Sequence, residues 1–380
     1  MAKQTPSEIH DHNLKRIYQL TYQTGRISRI ALSEQLELSL PTVSQALKQL
    51  EEARLIERNG LFQSTGGRKS IVYTCVTNAR VAVGVQISEH HLRLAAIDLY
   101  GKVIKRTAHR CSYAHRPEYY QTFGRLVNEF CQSLNLSPHR ILGVGIAIKS
   151  LLSADHMTVT QGIRLGSAGA TLSDFAACLD YPCRLIHDVD AAAEAEIWFS
   201  PDIVNALYVS LNYDLGGSLI IQGQIHRGKE YRSGLIEHMC LYPNGRKCYC
   251  GNRGCVSAYC SAHVLLSEEV PTLEEFFQRL RSGDAKCGEV WLNYLEQLSI
   301  ALLSMHMLLD CDIILGGVLG RFLTIDDVRL LQRTIRSQSV FAPASDFIRI
   351  GHTETDIFSC GAAIPYIREY LAGFSPTPTP

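Results

Sequence analysis

Three cysteines and one histidine lie within 18 residues in the middle of this sequence, with the spacing His238-x9-Cys248-x-Cys250-x4-Cys255. Tetrahedral Zn²⁺ is bound by such Cys3His sets, and four protein ligands leave no open position on the ion. Glycines inside the motif allow a tight turn, and nearby Arg and Lys favour thiolates. We therefore predict a structural zinc site. The alternatives are free cysteines in a loop or a redox pair, although Cys-x-Cys lacks the CxxC spacing of redox sites.

The remaining cysteines are scattered, and the total of 13 in 380 residues is odd. This usage is typical of reduced, buried thiols in an intracellular protein rather than of a disulfide framework. Cys240, Cys260 and His263 lie near the metal motif, and we expect them in the core rather than on the ion.

The length is sufficient for two or three domains, each with its own core. No apolar run reaches the roughly 18–20 residues of a membrane span, and the N-terminus lacks the apolar region of a secretory signal. We therefore expect a cytoplasmic protein without membrane insertion. Residues 375–380, which alternate Pro with Ser or Thr, predict a disordered tail.

Apolar spacing in the first seventy residues predicts three short helices over about 13–24, 29–36 and 40–53. Ser39 can cap the third helix, and Pro41 suits its first turn. The second and third helices have the spacing of a helix-turn-helix. A β-hairpin wing with its turn at Asn59-Gly60 is predicted next. We place this winged helix-turn-helix domain at residues 1–72.

The third helix turns a row of polar residues away from its apolar side. Hydroxyl, amide and ammonium groups suit base edges and phosphates in a major groove, and the alternative is a merely solvated face. Arg68 and Lys69, after the wing, suit phosphate or minor-groove contact. Residues 1–70 carry ten Lys/Arg against seven Asp/Glu, a net charge of +3 in a chain of net charge zero. The predicted DNA-reading residues of the helix are Thr42, Ser44, Gln45, Lys48 and Gln49.

Strands alternate with helices beyond residue 72. Three strands at 81–87, 92–98 and 102–107 precede a helix, a buried strand at 141–148 and further strand–helix units up to residue 221. This order predicts a two-lobed, ribonuclease-H-like α/β domain, as in actin and sugar kinases, spanning residues 73–374 and binding a ligand between its lobes.

These motifs together resemble the ROK family, and specifically its Mlc/NagC-type repressor branch. The zinc pattern from Gly245 to Cys255 with His238 upstream matches the family's metal signature, and residues 143–147 resemble the strand that precedes its substrate site. Asp188 falls where the family's kinases carry a catalytic aspartate, and Gly316-Gly317 resembles an adenosine-side glycine pair. The resemblance implies operator binding as a homodimer or dimer of dimers. It also implies a response to a sugar, a sugar phosphate or a phosphotransfer-system protein.

Two departures argue against kinase activity. ATP phosphates are held by glycine-rich turns whose backbone N–H groups point at the anion. The first such turn of the family is replaced here by residues 88–91, Ser-Glu-His-His, and the second has lost its first glycines and contains Asp214. Phosphoryl transfer depends on positioning and charge neutralisation, so an isolated Asp188 cannot perform it. Asp188 is then a relic, a ligand contact or a satisfied buried carboxylate.

The sugar site departs from the family as well. Leu235 and Ser257 stand where the family has glutamates, and Lys149-Ser150 replaces a Pro-Gly pair. Lys149 could meet an anionic group such as a phosphate. Glu237 could replace a lost glutamate, although its position beside His238 predicts a side chain that points elsewhere. The candidate effector residues are Lys149, His187, Asp188 and Glu237.

The sequence therefore predicts a zinc-containing, DNA-binding transcription regulator, most simply a repressor of genes for sugar or related metabolite use, with no enzyme activity. One rival hypothesis is an ATP-dependent sugar kinase of the same family that carries a DNA-binding domain. Another is a constitutive DNA-binding protein whose pocket is vestigial.

Overall fold

The computed structural model describes residues 5–62, 70–341 and 346–374. The elements from Pro6 to Cys75 form an N-terminal domain, called the head below. It begins with a longer helix than the sequence predicts. α1 starts at Pro6, where Thr5 and Glu8 form a reciprocal capping box, rather than near residue 13. Ser28 caps the second helix and Ser39 the third, as expected for the latter. The helices of the head are α1 (Pro6–Thr24), α2 (Arg29–Leu36) and α3 (Leu40–Glu52).

The head also contains a three-stranded antiparallel sheet of β1 (Ile27–Ser28), β2 (Ile56–Leu61) and β3 (Ile71–Cys75), in the order β1-β3-β2. The predicted turn at Asn59-Gly60 is wrong. Gly60 has a φ of 83°, the pairing shifts register between Arg58 and Leu61, and β2 continues past it. The Phe62 N–H donates to the Ser70 carbonyl at 2.9 Å, so the pairing of β2 with β3 extends as far as these two residues. Residues 63–69 lie outside the described residues. β3 runs to Cys75, beyond the domain boundary predicted at residue 72.

The first lobe of the body has a five-stranded sheet in the order β10-β7-β4-β5-β6. The predicted strands at 81–87 and 141–148 are both present with those bounds. Its elements are β4 (Val81–Ile87), β5 (His91–Ile97), β6 (Val103–Arg110), α4 (Pro117–Gln132), β7 (Ile141–Ile148), β8 (Leu151–Leu152), β9 (Val159–Gln161), α5 (Leu172–Ala176), β10 (Cys183–His187) and α6 (Asp188–Phe199).

The second lobe repeats this arrangement, with a sheet in the order β13-β12-β11-β14-β15. In each lobe a three-stranded antiparallel meander is extended by two parallel strands on the side of its first strand. The elements of this lobe are β11 (Ala206–Ser210), β12 (Gly216–Ile221), β13 (Gln224–His226), α7 (Ser257–Cys260), α8 (Leu273–Arg281), α9 (Ala285–Leu309), β14 (Asp312–Gly316), α10 (Gly317–Gly320), α11 (Ile325–Gln338) and β15 (Ile348–Ile350). They are followed by α12 (Ile357–Gly373), which returns to the first lobe. This duplicated topology confirms the two-lobed α/β prediction.

The last helix, α12, packs on the sheet of the first lobe and along α6. Glycines allow the close approach. A Cβ on Gly145 of β7 would overlap the Ala362 carbonyl, and one on Gly361 would overlap the Ala191 carbonyl. Gly145 belongs to the strand that resembles the family's strand before the substrate site. Its lack of a side chain therefore also has a packing role in the core of the first lobe.

The head is docked on the first lobe through α1 and α12. Tyr22 of α1 stacks on Tyr100 with 4.5 Å between ring centroids, and each tyrosine hydroxyl donates to a carbonyl across the contact, Tyr22 to Leu99 at 2.8 Å and Tyr100 to Tyr22 at 3.2 Å. The buried side chains of the head belong to one cluster with those of α6 and α12. Among the described residues, no helix is both long enough and apolar enough to span a lipid bilayer.

Candidate functional site

The four predicted metal ligands converge after β13. A short 3₁₀ helix, Ile236–His238, presents the imidazole, and the turn around Gly251 and Gly254, both with positive φ, brings the three thiols to it. The ligand atoms of His238, Cys248, Cys250 and Cys255 all lie within 4.8 Å of one another.

The spacing of these atoms fits one tetrahedral ion. The sulfur atoms of Cys250 and Cys255 are 3.8 Å apart, and the Cys248 sulfur is 3.9 Å from Nδ1 of His238. Zn–S bonds of about 2.3 Å in a tetrahedron place two sulfur atoms about 3.8 Å apart. The other ring nitrogen, Nε2 of His238, is 3.4 Å from the hydroxyl of Tyr249, a contact that orients the ring.

The pKa values of the four ligand groups are shifted in different directions. Burial and the neighbouring thiols raise the pKa of Cys255 to about 12. Burial also raises the pKa of Cys250, but hydrogen bonds from the Asn252 backbone N–H and the other thiols outweigh it, so the net shift is downward. Burial lowers the pKa of His238, which favours the neutral imidazole that binds metals. A bound divalent cation would favour the thiolate form of all three cysteines.

The three neighbouring residues do not join the cluster. Cys260 is fully buried in the core, Cys240 is exposed, and His263 lines the cavity between the lobes beside Tyr213. The expectation that all three are core residues is therefore right for Cys260 and wrong for the other two.

A cavity of about 930 Å³ separates the two lobes, and all four predicted effector residues line it. Lys149 follows β7, and His187 and Asp188 stand where β10 passes into α6. Nε2 of His187 is 3.5 Å from Oδ1 of Asp188, which also accepts the Val189 N–H at 2.9 Å. Because α6 starts at Asp188, this carboxylate lies at the positive end of the helix.

Glu237 lies against the cavity, contrary to the expected orientation. Its side chain is buried, and burial raises its pKa to about 7, while the charges of His187, Asp188 and Lys149 also act on it. Its Oε2 has no hydrogen-bond partner among the described residues. In a 3₁₀ helix successive side chains are about 120° apart, so Glu237 can face the cavity while His238 faces the cysteines.

Two segments, residues 88–91 and 212–217, stand where the family's kinases hold ATP phosphates. In this chain their polar groups form hydrogen bonds and ion pairs with other residues of the protein. Ser88 closes the β4–β5 turn by bonding His91 through backbone and hydroxyl. Asn212 donates to the Ser210 hydroxyl at 2.7 Å and accepts the Val318 N–H at 2.8 Å. Asp214 is ion-paired with Lys149 and Arg164, a partnership that the sequence did not predict.

The glycines that remain near these positions have packing roles. Gly216 and Gly217 are part of β12, where Gly217 packs against Gly234 and Ile236. Gly316 packs against the ring of Tyr208, so a side chain there would overlap the tyrosine hydroxyl. Close packing in the second lobe therefore accounts for these glycines.

On the predicted DNA-reading face of α3, some side chains are exposed to solvent and others form hydrogen bonds within the head. Gln45 and Lys48 are exposed, and Lys48 makes only a loose pair with Glu52 at 3.8 Å. Thr42 bonds to the capping Ser39 at 2.8 Å.

The other two residues of this face make contacts within the head. Ser44 accepts a hydrogen bond from Arg29 at 3.1 Å, and Gln49 contacts His10 of α1 at 2.7 Å. Arg29, an exposed cation beside this face, is a further candidate for DNA contact that was not predicted from the sequence. Its position at the start of α2 could have indicated it. Arg68 and Lys69 lie outside the described residues.

The fold and these sites define a winged helix-turn-helix head joined to a duplicated, sugar-kinase-like body. The model of the ROK family matches residues 82–341, and a model of winged helix-turn-helix DNA-binding domains matches residues 10–57. The chain belongs to the ROK family, as its sequence motifs predict.

Two relatives of similar sequence are a transcriptional regulator and a repressor. The DNA-binding transcriptional dual regulator NagC of Escherichia coli K12 is 26% identical over 273 residues, which is 70% of this chain and 66% of NagC. The match therefore spans slightly less than two thirds of that protein. The xylose repressor of Bacillus subtilis 168 is 27% identical over 257 residues, 67% of each chain.

Solved structures show the same fold. A ROK family transcriptional regulator, a homologue of the E. coli Mlc protein, superposes with a TM-score of 0.73 at 22% identity, over 96% of both chains. A ROK glucokinase from Streptomyces griseus, in complex with glucose and AMPPNP, superposes with a TM-score of 0.63 at 19% identity over 75% of this chain and 98% of the enzyme. The kinase thus corresponds to the body, and the regulator to head and body together.

Proposed function

We propose that this protein is a DNA-binding transcription regulator, most simply a repressor of genes for the use of a sugar or related metabolite. The main support for the proposal is the surface of the N-terminal head. Its third helix presents Gln45 and Lys48 to solvent on a domain of net positive charge, the arrangement that major-groove reading requires. The similarity to a DNA-binding transcriptional dual regulator and to a xylose repressor supports the same function.

The cavity between the lobes serves in this proposal as the effector site. α6 starts at Asp188 in the cavity and reaches Trp198, which donates to the Tyr100 carbonyl at 3.0 Å. Tyr100 in turn stacks on Tyr22 of the head. A ligand that shifts the start of α6 would therefore bias the position of the head through packed side chains.

Zn²⁺ is the ion we propose for the Cys3His cluster, in a structural role. Three thiolates and an imidazole are the ligand set that zinc prefers, and all four positions around the ion are filled by the protein. The site would fix the backbone on both sides of the Ile236–His238 turn, and with it the position of Glu237 in the cavity. A homodimer or dimer of dimers, each head reading one half-site of an operator, completes the proposal.

We also propose that the body no longer acts as a kinase. The segment that corresponds to the second phosphate turn of the family contains the ion-paired carboxylate of Asp214, and the surviving glycines are packed. A coupled assay with ATP and a panel of hexoses tests this. Turnover by the original chain that is lost in the Asp188→Ala variant would support the kinase hypothesis instead. A constitutive DNA-binding protein would give no thermal shift with any sugar or sugar phosphate.

The test of DNA binding is to map the genomic sites of the full chain and measure affinity for them by fluorescence anisotropy at several salt concentrations. Sequence-specific binding, strongest at low ionic strength, is expected. Binding that is no tighter for mapped sites than for random duplex would overturn the proposal.

A further inference from the structure

The carboxylate of Asp214 bridges the two lobes across the cavity. Asp214 lies between β11 and β12 of the second lobe, whereas Lys149 follows β7 and Arg164 follows β9 in the first. Oδ2 of Asp214 accepts from Nζ of Lys149, and Oδ1 accepts from Nε and Nη2 of Arg164 at 2.8 and 2.6 Å. One side chain of the second lobe is therefore held by two cations of the first.

This cluster has one more positive than negative charge. The Asp214 side chain is 12% exposed, and those of Lys149 and Arg164 are 31% and 37% exposed. The guanidinium of Arg164 also lies 4.7 Å from the centre of the Tyr249 ring, which holds it in the cavity wall. A lysine and an arginine that converge on one point form a donor set suited to a phosphate or carboxylate group.

A second feature of the same cavity suits a hydroxyl group. Glu237 lines the cavity on the side of the second lobe, and its buried Oε2 has no partner among the residues that the structure describes. A buried carboxylate oxygen without a donor favours any ligand that supplies an O–H group.

We propose that Lys149 and Arg164 form an anion subsite that Asp214 fills in the ligand-free protein, and that a phosphorylated polyol or sugar displaces Asp214 from it. A phosphate monoester carries between one and two negative charges near neutral pH and so competes with a single carboxylate for two cations. Its hydroxyl groups would meet Glu237. Displacement breaks the link between the lobes, which couples ligand binding to their relative position. This inference rests on the proposed function only in taking the cavity as the effector site.

The alternative role for Asp214 is a structural strut with no connection to ligand. A strut predicts that Asp214→Asn lowers stability and leaves anion affinity unchanged. Displacement predicts that Asp214→Asn binds phosphate more tightly, because the internal competitor is gone while the shape of the side chain is kept.

The experiment is a titration of the full, metal-loaded chain with inorganic phosphate, glucose 6-phosphate and glucose, followed by phosphorus NMR for the first two and by calorimetry for all three. We expect Asp214→Asn to bind the phosphate probes about tenfold more tightly than the original chain, and Arg164→Gln to bind them about tenfold more weakly. Tighter binding of the ester than of inorganic phosphate would assign the subsite to a phosphorylated ligand. Equal binding would assign it to free phosphate.

Asp202→Asn is the matched control, because Asp202 pairs with Arg349 at 2.9 Å outside the cavity. Phosphate affinity that does not rise in Asp214→Asn, or that is the same in Arg164→Gln, would overturn the inference. Unfolding midpoints check that each variant folds, and Lys149→Met supplies a second test of the cation pair. DNA affinity of the same samples without ligand is recorded in parallel. Failure of the original chain to bind DNA, with phosphate affinities that change as expected in the variants, would count against the proposed function and leave the anion subsite standing.

Discussion

The ring of Tyr18 in α1 stacks on the ring of Phe374, just after α12, with 4.2 Å between centroids and 18° between planes. Beside this stack, Lys15 and Gln19 donate to the carbonyls of Ala372 and Leu371, the last residues before the chain leaves α12. The head is thus attached to the body through a helix end whose free carbonyls it satisfies.

Phe374→Ala should loosen this attachment. Phe374 is 4% exposed, and truncation of a buried phenylalanine costs about 3 kcal/mol or more. We expect a loss of that size in the free energy of unfolding, measured by urea denaturation, and faster hydrogen exchange in α1. Phe341→Ala, at a ring that is 76% exposed, is the control and should be neutral. Unchanged exchange in α1 would mean that the head is held by other contacts.

Cys250→Ser should release the metal. A closed site contributes its binding free energy to folding, so loss of one thiolate lowers both metal content and the unfolding midpoint. Native mass spectrometry gives the metal content, and a thermal melt gives the midpoint. Cys240→Ser, an exposed neighbour outside the cluster, should retain both. A full equivalent of metal in Cys250→Ser would contradict the ligand assignment.

Lys48→Ala should weaken DNA binding to all sequences by a similar factor. An exposed lysine that contacts one phosphate contributes about one unit to the slope of log affinity against log salt. Anisotropy at several salt concentrations measures this slope, and the double variant with Arg68→Ala should reduce it by about two. Lys229→Ala, an exposed lysine of the body, is the matched control. An unchanged slope would place the DNA on another face.

Stability in acid should depend on Asp214. Burial raises the pKa of this carboxyl, but Lys149 and Arg164 outweigh burial and bring the pKa below its ordinary value. A carboxyl with a lowered pKa in the folded state contributes stability above its unfolded pKa of about 3.9 and loses it as the pH falls through the folded value. Asp214→Asn should therefore be less stable than the original chain at pH 6. The difference in unfolding free energy between the two proteins, measured by urea denaturation, should become smaller below about pH 4. A gap independent of pH would exclude the ion pairs as its cause.

The strands were predictable wherever burial leaves a continuous apolar run. β4 and β7 are central in their sheet, so almost every side chain of 81–87 and 141–148 is buried and the pattern marks both ends. The start of α1 was not predictable from periodicity, because residues 6–12 are mostly polar and their helix depends on the Thr5–Glu8 capping box. Asn59-Gly60 has the composition of a tight turn, but here it forms an irregularity within β2.

The metal ligands were predictable because their spacing is local. The partners of Asp214 were not, because Lys149 and Arg164 are 65 and 50 residues away in the chain and only the closed fold brings them together. The orientation of Glu237 was predicted wrongly since the sequence gives no sign that residues 236–238 form a 3₁₀ turn. The helices after residue 260 were not assigned from the sequence.

The position of α12 has a consequence for synthesis. The chain emerges from the ribosome head first, yet the sheet of residues 81–187 is covered by a helix that begins at Ile357. Until those last residues appear, β4 and β7 expose apolar side chains and α1 has no surface on which to dock. The core of the first lobe is therefore begun early in translation and completed only when α12 has been made. A product that stopped before Ile357 would lack a finished core in that lobe.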